Sequence, residues 1–511
     1  MRWNLSRQTT YALVLMTILA AGCCVVGCKS GSSPPTVSTP PTQMVQQVPT
    51  ATPVPTEKEG QTPEQTHEIR SEPAVVPTDS PIPSATPTPL PTSTAPKAMP
   101  LPLAYQPPNN NSFVSQISPD GRYVAFQSWA DNLVAGDTNE RPDVFVYDRY
   151  TGQTVRASVA SDGTESDGFS GSASISAYGQ WIAFTSEAKS LAPDQRDWAF
   201  DVFLHDLRAG RTERIEVAGQ GALSRTTSTQ PALSADGRYL ALIAKADAWD
   251  DLWQVYVIDR QTGQKEKIST GSDSRPGDGW SHSPAISADG RYVAFWSYAG
   301  NLVDDDERDC GQPEKSLSCS DVFVYDRQTR TMERIPVGEG YGLGGGGYKL
   351  SLSEDGRYVV FRGTIRDRQT QLQSAFCGLD VDAQSRIRAS ILSADGRWIA
   401  FTDGQVYLCD RQSGTVTPVS VAPDGAPADG PSGLVTGHEG YSDSLSLSAD
   451  GRWLAFTSQA SNLVPGQTKD KRCQRPLAVL PDAPHCYDVY LYDRETGAMA
   501  LLGEPWRTAR D

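Results

Sequence analysis

Few residues in this 511-residue chain could carry proton-transfer or nucleophilic chemistry, and their spacing does not gather them. In the repetitive part of the chain the histidines are His205, His282, His438 and His485, with none paired at a metal-ligand spacing. GxSxG, HExxH, P-loop and CxxC patterns are all missing. Gly279-Trp280-Ser281-His282 is followed by Ser283, where a nucleophile elbow needs glycine. No catalytic residue is assigned. What remains is tryptophan beside carboxylate: Trp129, Trp198, Trp249, Trp253 and Trp280, with Asp131, Asp137, Asp250, Asp251 and the run Asp304-Asp305-Asp306-Glu307. Such a mixture could suit sugars or cationic peptides, but the preferred reading is that the tryptophans pack loops and the acids solvate them. Gly136-Asp137-Thr138-Asn139, with Asp143 beyond, places oxygen ligands as calcium would take them. The EF-hand glycine and terminal glutamate are missing, and the matching loops read Ala192-Pro193-Asp194 and Gly466-Gln467-Thr468. A capped turn is therefore the preferred reading, with no metal and no cofactor assigned.

The nine cysteines report on compartment. Cys310 and Cys319 share one long loop and Cys473 and Cys486 another, which reads as two local disulfides in an exported protein. Cys377 and Cys409 are expected on third strands of consecutive units, with a bridge and two buried thiols both open. Cys23, Cys24 and Cys28 belong to the amino terminus. There Arg2 and Arg7 precede an apolar stretch from Tyr11 to Ala21, of signal-peptide length and short for a span. It ends in Leu19-Ala20-Ala21-Gly22-Cys23, which resembles the bacterial lipobox; the resemblance implies lipidation at Cys23, with Val25-Val26-Gly27-Cys28 as the alternative. Two or three acyl chains would hold firmly, at about 0.8 kcal/mol per buried CH₂. Residues 1–28 are thus read as the lipoprotein signal region. Residues 29–109 are rich in Pro, Thr and Ser, as in Thr52-Pro53-Val54-Pro55-Thr56, and read as a disordered linker lacking the apolar surface to fold.

The elements that must position any site come from a repeat. Ser118-Pro119-Asp120-Gly121-Arg122-Tyr123-Val124-Ala125-Phe126 returns at Ser176, Ser234, Ser287, Ser353, Ser393 and Ser448, at intervals of 40 to 66 residues. Apolar residues before the serine end one strand. Asp-Gly supplies a tight turn, and the Tyr-Val-Ala-Phe run begins the next strand. Asp143-Val144-Phe145-Val146-Tyr147-Asp148 gives a third strand, matched by Asp321–Asp326 and Asp488–Asp493, and a short fourth follows a second turn. Four short antiparallel strands make one propeller blade, which must stack on neighbours to bury its faces.

SxDGRxhAF (h apolar) followed by DVFVYDRxTG resembles the WD40-like PD40 repeat of TolB-type propellers. The resemblance covers residues 110–504 and implies an all-β propeller of seven four-stranded blades, with six to eight compatible with the intervals. It departs from TolB itself in having seven copies rather than six blades and no preceding α/β domain. The second copy reads Tyr178-Gly179 for Asp-Gly, and the 40-residue fifth unit is expected to lack a regular outer strand. Residues 505–511 form a carboxy-terminal tail, and no hydrolase domain is expected behind the propeller.

The long second-to-third and fourth-to-first connections emerge on one face, which is the expected binding surface and carries the five tryptophans. The net charge of −16 argues against nucleic acid or an anionic membrane face as partner. The resulting expectation is a monomeric binding or scaffolding propeller, outside the cytoplasm and lipid-anchored to the bacterial cell membrane or envelope. Its partner would be an envelope protein or a glycan, with membrane contact through the lipid alone. The alternative is a carbohydrate-active enzyme, a glycoside hydrolase or lyase using paired carboxylates in the central depression.

Overall fold

A computed structural model describes residues 108–192, 199–217, 228–245, 252–304, 320–337, 349–433, 445–465 and 486–502. They form seven four-stranded antiparallel sheets, each built from four consecutive strands hydrogen-bonded in sequence order. Blade 1 comprises β1 (Ser112–Ile117), β2 (Tyr123–Ser128), β3 (Asp143–Asp148) and β4 (Gln153–Arg156). Blades 2 to 7 follow as β5–β8 (170–214), β9–β12 (228–267), β13–β16 (281–335), β17–β20 (351–375), β21–β24 (389–418) and β25–β28 (445–501). The chain is an all-β, seven-bladed propeller.

The repeat motif makes the first turn of six blades in one way, with Tyr178 in the aspartate's place in blade 2. In blade 1 the Ser118 hydroxyl donates to the Asp120 carboxylate and accepts from the Tyr123 amide at 2.9 Å, while Gly121 N donates to Ser118 O at 2.8 Å. Gly121 sits at φ +71°, a conformation other residues adopt only under strain. The first and third turns lie on one face because the strands alternate in direction. The remaining connections leave the other face.

Each seam between neighbouring blades has its own apolar core. Val144 and Val146 of blade 1 meet Ile175, Ile182, Phe184 and Phe203 of blade 2, for example. The other six seams repeat the arrangement. This is the packing that isolated blades cannot achieve. The ring closes without a shared blade: Phe126, Phe145 and Tyr147 of blade 1 pack with Trp453, Val489 and Leu491 of blade 7. Ser112 N donates to Tyr487 O at 2.8 Å, and Ala449 N to Pro119 O at 2.9 Å. That last bond belongs to a belt of backbone bonds between successive first turns. Ala177 N reaches Ala235 O, Ala235 N reaches Ala288 O, Glu354 N reaches Ala394 O and Ala394 N reaches Ala449 O, at 2.8 to 2.9 Å. Pro119 has no N–H to extend the belt from blade 1 to blade 2.

Two expectations are corrected. The fifth blade keeps a regular outer strand, Leu372–Ala375, paired with Thr364–Asp367. Its brevity comes from the connection of Tyr358–Phe361 to Thr364–Asp367, which is only Arg362-Gly363 with both residues at positive φ, the two-residue hairpin pattern. Cys377 lies not on a third strand but in a 3-10 turn (Phe376–Gly378) before the short helix α1 (Val381–Arg386), whose Asp380 caps Ala383 N at 2.7 Å. Cys377 and Cys409, the latter on Val406–Asp410, form a disulfide across the seam of blades 5 and 6.

Candidate functional site

The sequence motif that looks most like a functional signature is a latch between blades. Arg122 donates from Nε and Nη2 to both oxygens of Asp148, at 3.0 and 2.7 Å, because antiparallel pairing sets Tyr123 opposite Asp148. Bidentate pairs of this kind recur in Arg238–Asp259, Arg291–Asp326, Arg357–Asp367, Arg397–Asp410 and Arg452–Asp493. The Arg291 guanidinium, with two further backbone amides, holds the Asp326 carboxyl at about 2. The arginine after each of these aspartates crosses to the neighbouring blade. Arg149 lies 3.5 Å above the Trp453 ring, Arg494 4.1 Å above Trp398 and Arg411 4.1 Å above Tyr358. The same aromatic ring rests on the motif glycine of the next blade: a Cβ at Gly121 would stand 2.5 Å from Cδ1 of Trp453. Ser, Asp, Gly, Arg and the aromatic residue are therefore all engaged in building the ring.

The axis holds a channel of about 510 Å³ lined by the innermost strands of all seven blades. Its lining mixes isoleucine and leucine with alanine and with polar side chains such as Gln116, Ser174, Gln230 and Ser283, and it includes the cation Lys349. Gln116 Oε1 accepts from Ser174 Oγ at 2.8 Å and Ile175 N at 3.0 Å, and Gln230 Oε1 from Ser283 N at 2.7 Å, so these amides tie inner strands together. The lining carboxylates are Asp120 and Glu354, on the non-adjacent blades 1 and 5, and Asp120 is engaged by Ser118 and the Arg122 amide.

On the long-connection face four blades share one regular element at the start of the second-to-third connection. Four blades repeat Ser-x-Ala after the second strand. The hydroxyls of Ser128, Ser186, Ser297 and Ser458 accept from the amides of Ala130, Ala188, Ala299 and Ala460 at 2.9 to 3.0 Å. They also pair with Ser112, Ser170 and Ser281 of the first strands and with Ser432 in the connection leading to blade 7. Aspartates in the trailing loops then bond across the seam: Asp167 to the Lys189 amide at 2.7 Å, Asp278 to Gly300 at 2.7 Å and Asp429 to Ser461 at 2.6 Å. Alignment of the units on their second turns would reveal this Ser-x-Ala pattern in the sequence.

Of the five candidate tryptophans, Trp198 and Trp249 lie outside the described residues, as do Asp250, Asp251, Asp305, Asp306 and Glu307. Trp129 is half-buried, its indole N–H enclosed without an acceptor among the described residues. Trp253 packs against the core between blades 3 and 4 beneath Lys245. Trp280 is 48% exposed and stands beside Tyr298, whose amide donates to Trp280 O at 2.9 Å. Asp131 is bonded by Asn109 Nδ2 at 2.6 Å, and Asp304 by Ser272 at 2.7 Å.

Asp137 and Asp143 do converge, with a partner the sequence did not single out, Glu165. One carboxylate oxygen from each lies within 4.8 Å of the others. Arg156 supplies the counter-charge, its Nη1 standing 2.6 Å from Glu165, 3.3 Å from Asp143 and 3.5 Å from Asp137. Glu165 accepts from Thr138 and Asn139 amides, and Asp143 from Ser158 and Asn139. Burial pushes Asp137 up to about 7 and Asp143 to about 6. Arg156 thus supplies a cation to three carboxylates that are also close enough together to hold a metal ion.

The described histidines are structural. Burial drops His205 and His282 to about 4, so both are neutral at pH 7. His205 Nδ1 bonds Thr212 at 2.8 Å, and His282 Nδ1 bonds Ser283 at 3.1 Å. His438 and His485 lie outside the described residues, as do Cys23, Cys28, Cys310, Cys319 and Cys473. Cys486 is buried and disulfide-bonded.

No protein-family model matches the chain, and no curated protein does. Solved structures do match. The chain is similar to an oligogalacturonate lyase in complex with manganese, at 14% identity and a TM-score of 0.43, over 69% of this chain and 88% of that one. It is similar to TolB from Acinetobacter baumannii at 16% identity and a TM-score of 0.35, over 76% and 78%. It also resembles a prolyl endopeptidase at 13% identity and a TM-score of 0.45, over 77% of this chain and half of the other.

Proposed function

We propose that this protein is a non-catalytic binding or scaffolding propeller of the TolB-like, PD40-repeat type. In this reading lipid on Cys23, or alternatively Cys28, tethers it outside the cytoplasm through a Pro/Thr/Ser-rich stalk. It acts as a monomer and recognises an envelope protein or glycan through its long-connection face. The observation that carries the reading is an exposed tryptophan held on the long-connection face. The channel's carboxylates sit on blades 1 and 5, and His205 and the partly buried His282 are neutral at pH 7. Trp280 meanwhile stays half-exposed on a loop pinned by Asp278. A rigid loop presenting a large aromatic surface is how scaffolds recognise partners at low entropic cost. A carbohydrate-active enzyme would need two carboxylates roughly 5–10 Å apart at the axis.

The full-length protein, affinity-tagged and solubilised from its native envelope, should retain one partner that Trp280→Ala loses at least tenfold. Identical recoveries with both proteins would end the reading.

A further inference from the structure

Blade 2 breaks the repeat on the opposite face, and blade 1 breaks it beside the break. The second residue after the motif serine is aspartate in six blades and Tyr178 in blade 2. The second residue after the third-strand aspartate is Gln261, Gln328, Gln369, Gln412 or Glu495 in five blades, but Tyr150 in blade 1 and Arg208 in blade 2. Tyr178 is 71% exposed and Tyr150 67%, so neither ring is buried in the fold. Each replaces a side chain that is polar in most other blades. Large exposed rings where the repeat prescribes polar groups mark a surface shaped for contact rather than for folding.

The two positions flank one contact. Tyr123 packs on Gly179, the neighbour of Tyr178, and Arg122 lies 4.8 Å from the Tyr123 ring and 5.1 Å from the Tyr150 ring. Arg149 covers Tyr150 at 4.9 Å, and the exposed Arg208 projects from blade 2, close enough for its charge to be felt at Tyr123. Tyr178 also lines the channel mouth with Pro119. Substitution of the motif aspartate removes a carboxylate, and Arg208 adds a cation, in a chain whose net charge is −16. We propose that the short-turn face at the seam of blades 1 and 2 is a second docking surface, which takes an acidic, extended segment of a protein partner across Tyr150, Tyr178 and Arg208. A propeller engaged on both faces bridges two partners.

The test restores the repeat's own residues, Tyr150→Gln with Tyr178→Asp, an exchange that the other blades show the fold accepts. A fluorescein-labelled poly-L-glutamate of twenty residues serves as probe in fluorescence anisotropy at low salt, with poly-L-lysine and polygalacturonate as controls. Binding of polyglutamate by the full-length wild type, weakened at least tenfold in the double variant and untouched in Trp280→Ala, supports the surface. Absent binding, equal binding in the double variant, or binding of polygalacturonate alone overturns it. Loss in Trp280→Ala with retention in the double variant would instead locate binding on the long-connection face, so the two readings fail separately.

Discussion

Blade 2 and its six companions solve the same seam problem with different chemistry. Six blades clamp their third strand with a bidentate arginine and cover the neighbouring aromatic ring with a second arginine. Blade 2 replaces the first with Gln180, which donates to Asp206 at 3.2 Å, and the second with Leu207, packed beside Tyr123 in the seam core. The ring therefore tolerates loss of the whole ionic latch at one seam, because the apolar core beneath it persists. Partly exposed ion pairs contribute about 1 kcal/mol or less, whereas a buried aromatic side chain contributes several. The comparison teaches that the motif's charged residues orient the turn while its apolar residues hold the ring.

The largest test of that ranking is at the closing seam. Trp453→Ala, at 5% exposure, should cost about 3–5 kcal/mol in denaturant unfolding, and Tyr123→Ala at the unclamped seam about 2 kcal/mol. Equal losses would erase the distinction between the seams. Replacing Cys377 and Cys409 by serine should cost about 2–4 kcal/mol at the shortest blade, read by the shift in the urea midpoint between oxidised wild type and variant.

The pH dependence carries opposing signs. His205 and His282 are held near 4 in the fold, so their contribution is full above about pH 6.5 and is lost as pH falls towards 4, by roughly 3 kcal/mol each. Asp137 and Asp143 are raised to about 7 and 6, so they oppose, losing stability as pH rises through that window. His205→Gln should therefore flatten the acid side of the stability profile, and an unchanged profile would show that this histidine is not held neutral. The next effect is a glycine pair. Gly121→Ala should cost at least about 2 kcal/mol, since its Cβ meets Trp453, and Gly152→Ala, at φ +70° with open space around it, about 1 kcal/mol. The smallest effect should be Arg291→Gln, which writes blade 2's choice into blade 4 and should lower Tm less than any change above.

Much of the architecture was legible because it depends on local signals. The Ser-x-Asp-Gly turn and the alternating strands that follow can be read within nine residues, and seven copies imply the ring. What Gly121 and Arg149 do was not legible, since both act on Trp453, more than three hundred positions away, across the closing seam. Trp253 and Trp280 look alike in sequence, and only packing separates a core residue from an exposed one. Glu165 joins Asp137 and Asp143 through a β-bridge between Val159 and Glu165, a fold-back that no motif announces. Cys377 moved off its expected strand because the fifth blade shortens its connections and inserts a helical turn.

Hydrogen exchange of Trp453→Ala, followed by mass spectrometry strand by strand, tests the closed ring most directly. If seven seams form one cooperative circle, the slowest amides of the distant blade 4 (281–335) should lose protection by the same factor as those of blades 1 and 7. Loss confined to blades 1 and 7, with blade 4 unchanged, would contradict closure and leave a linear array of independent sheets.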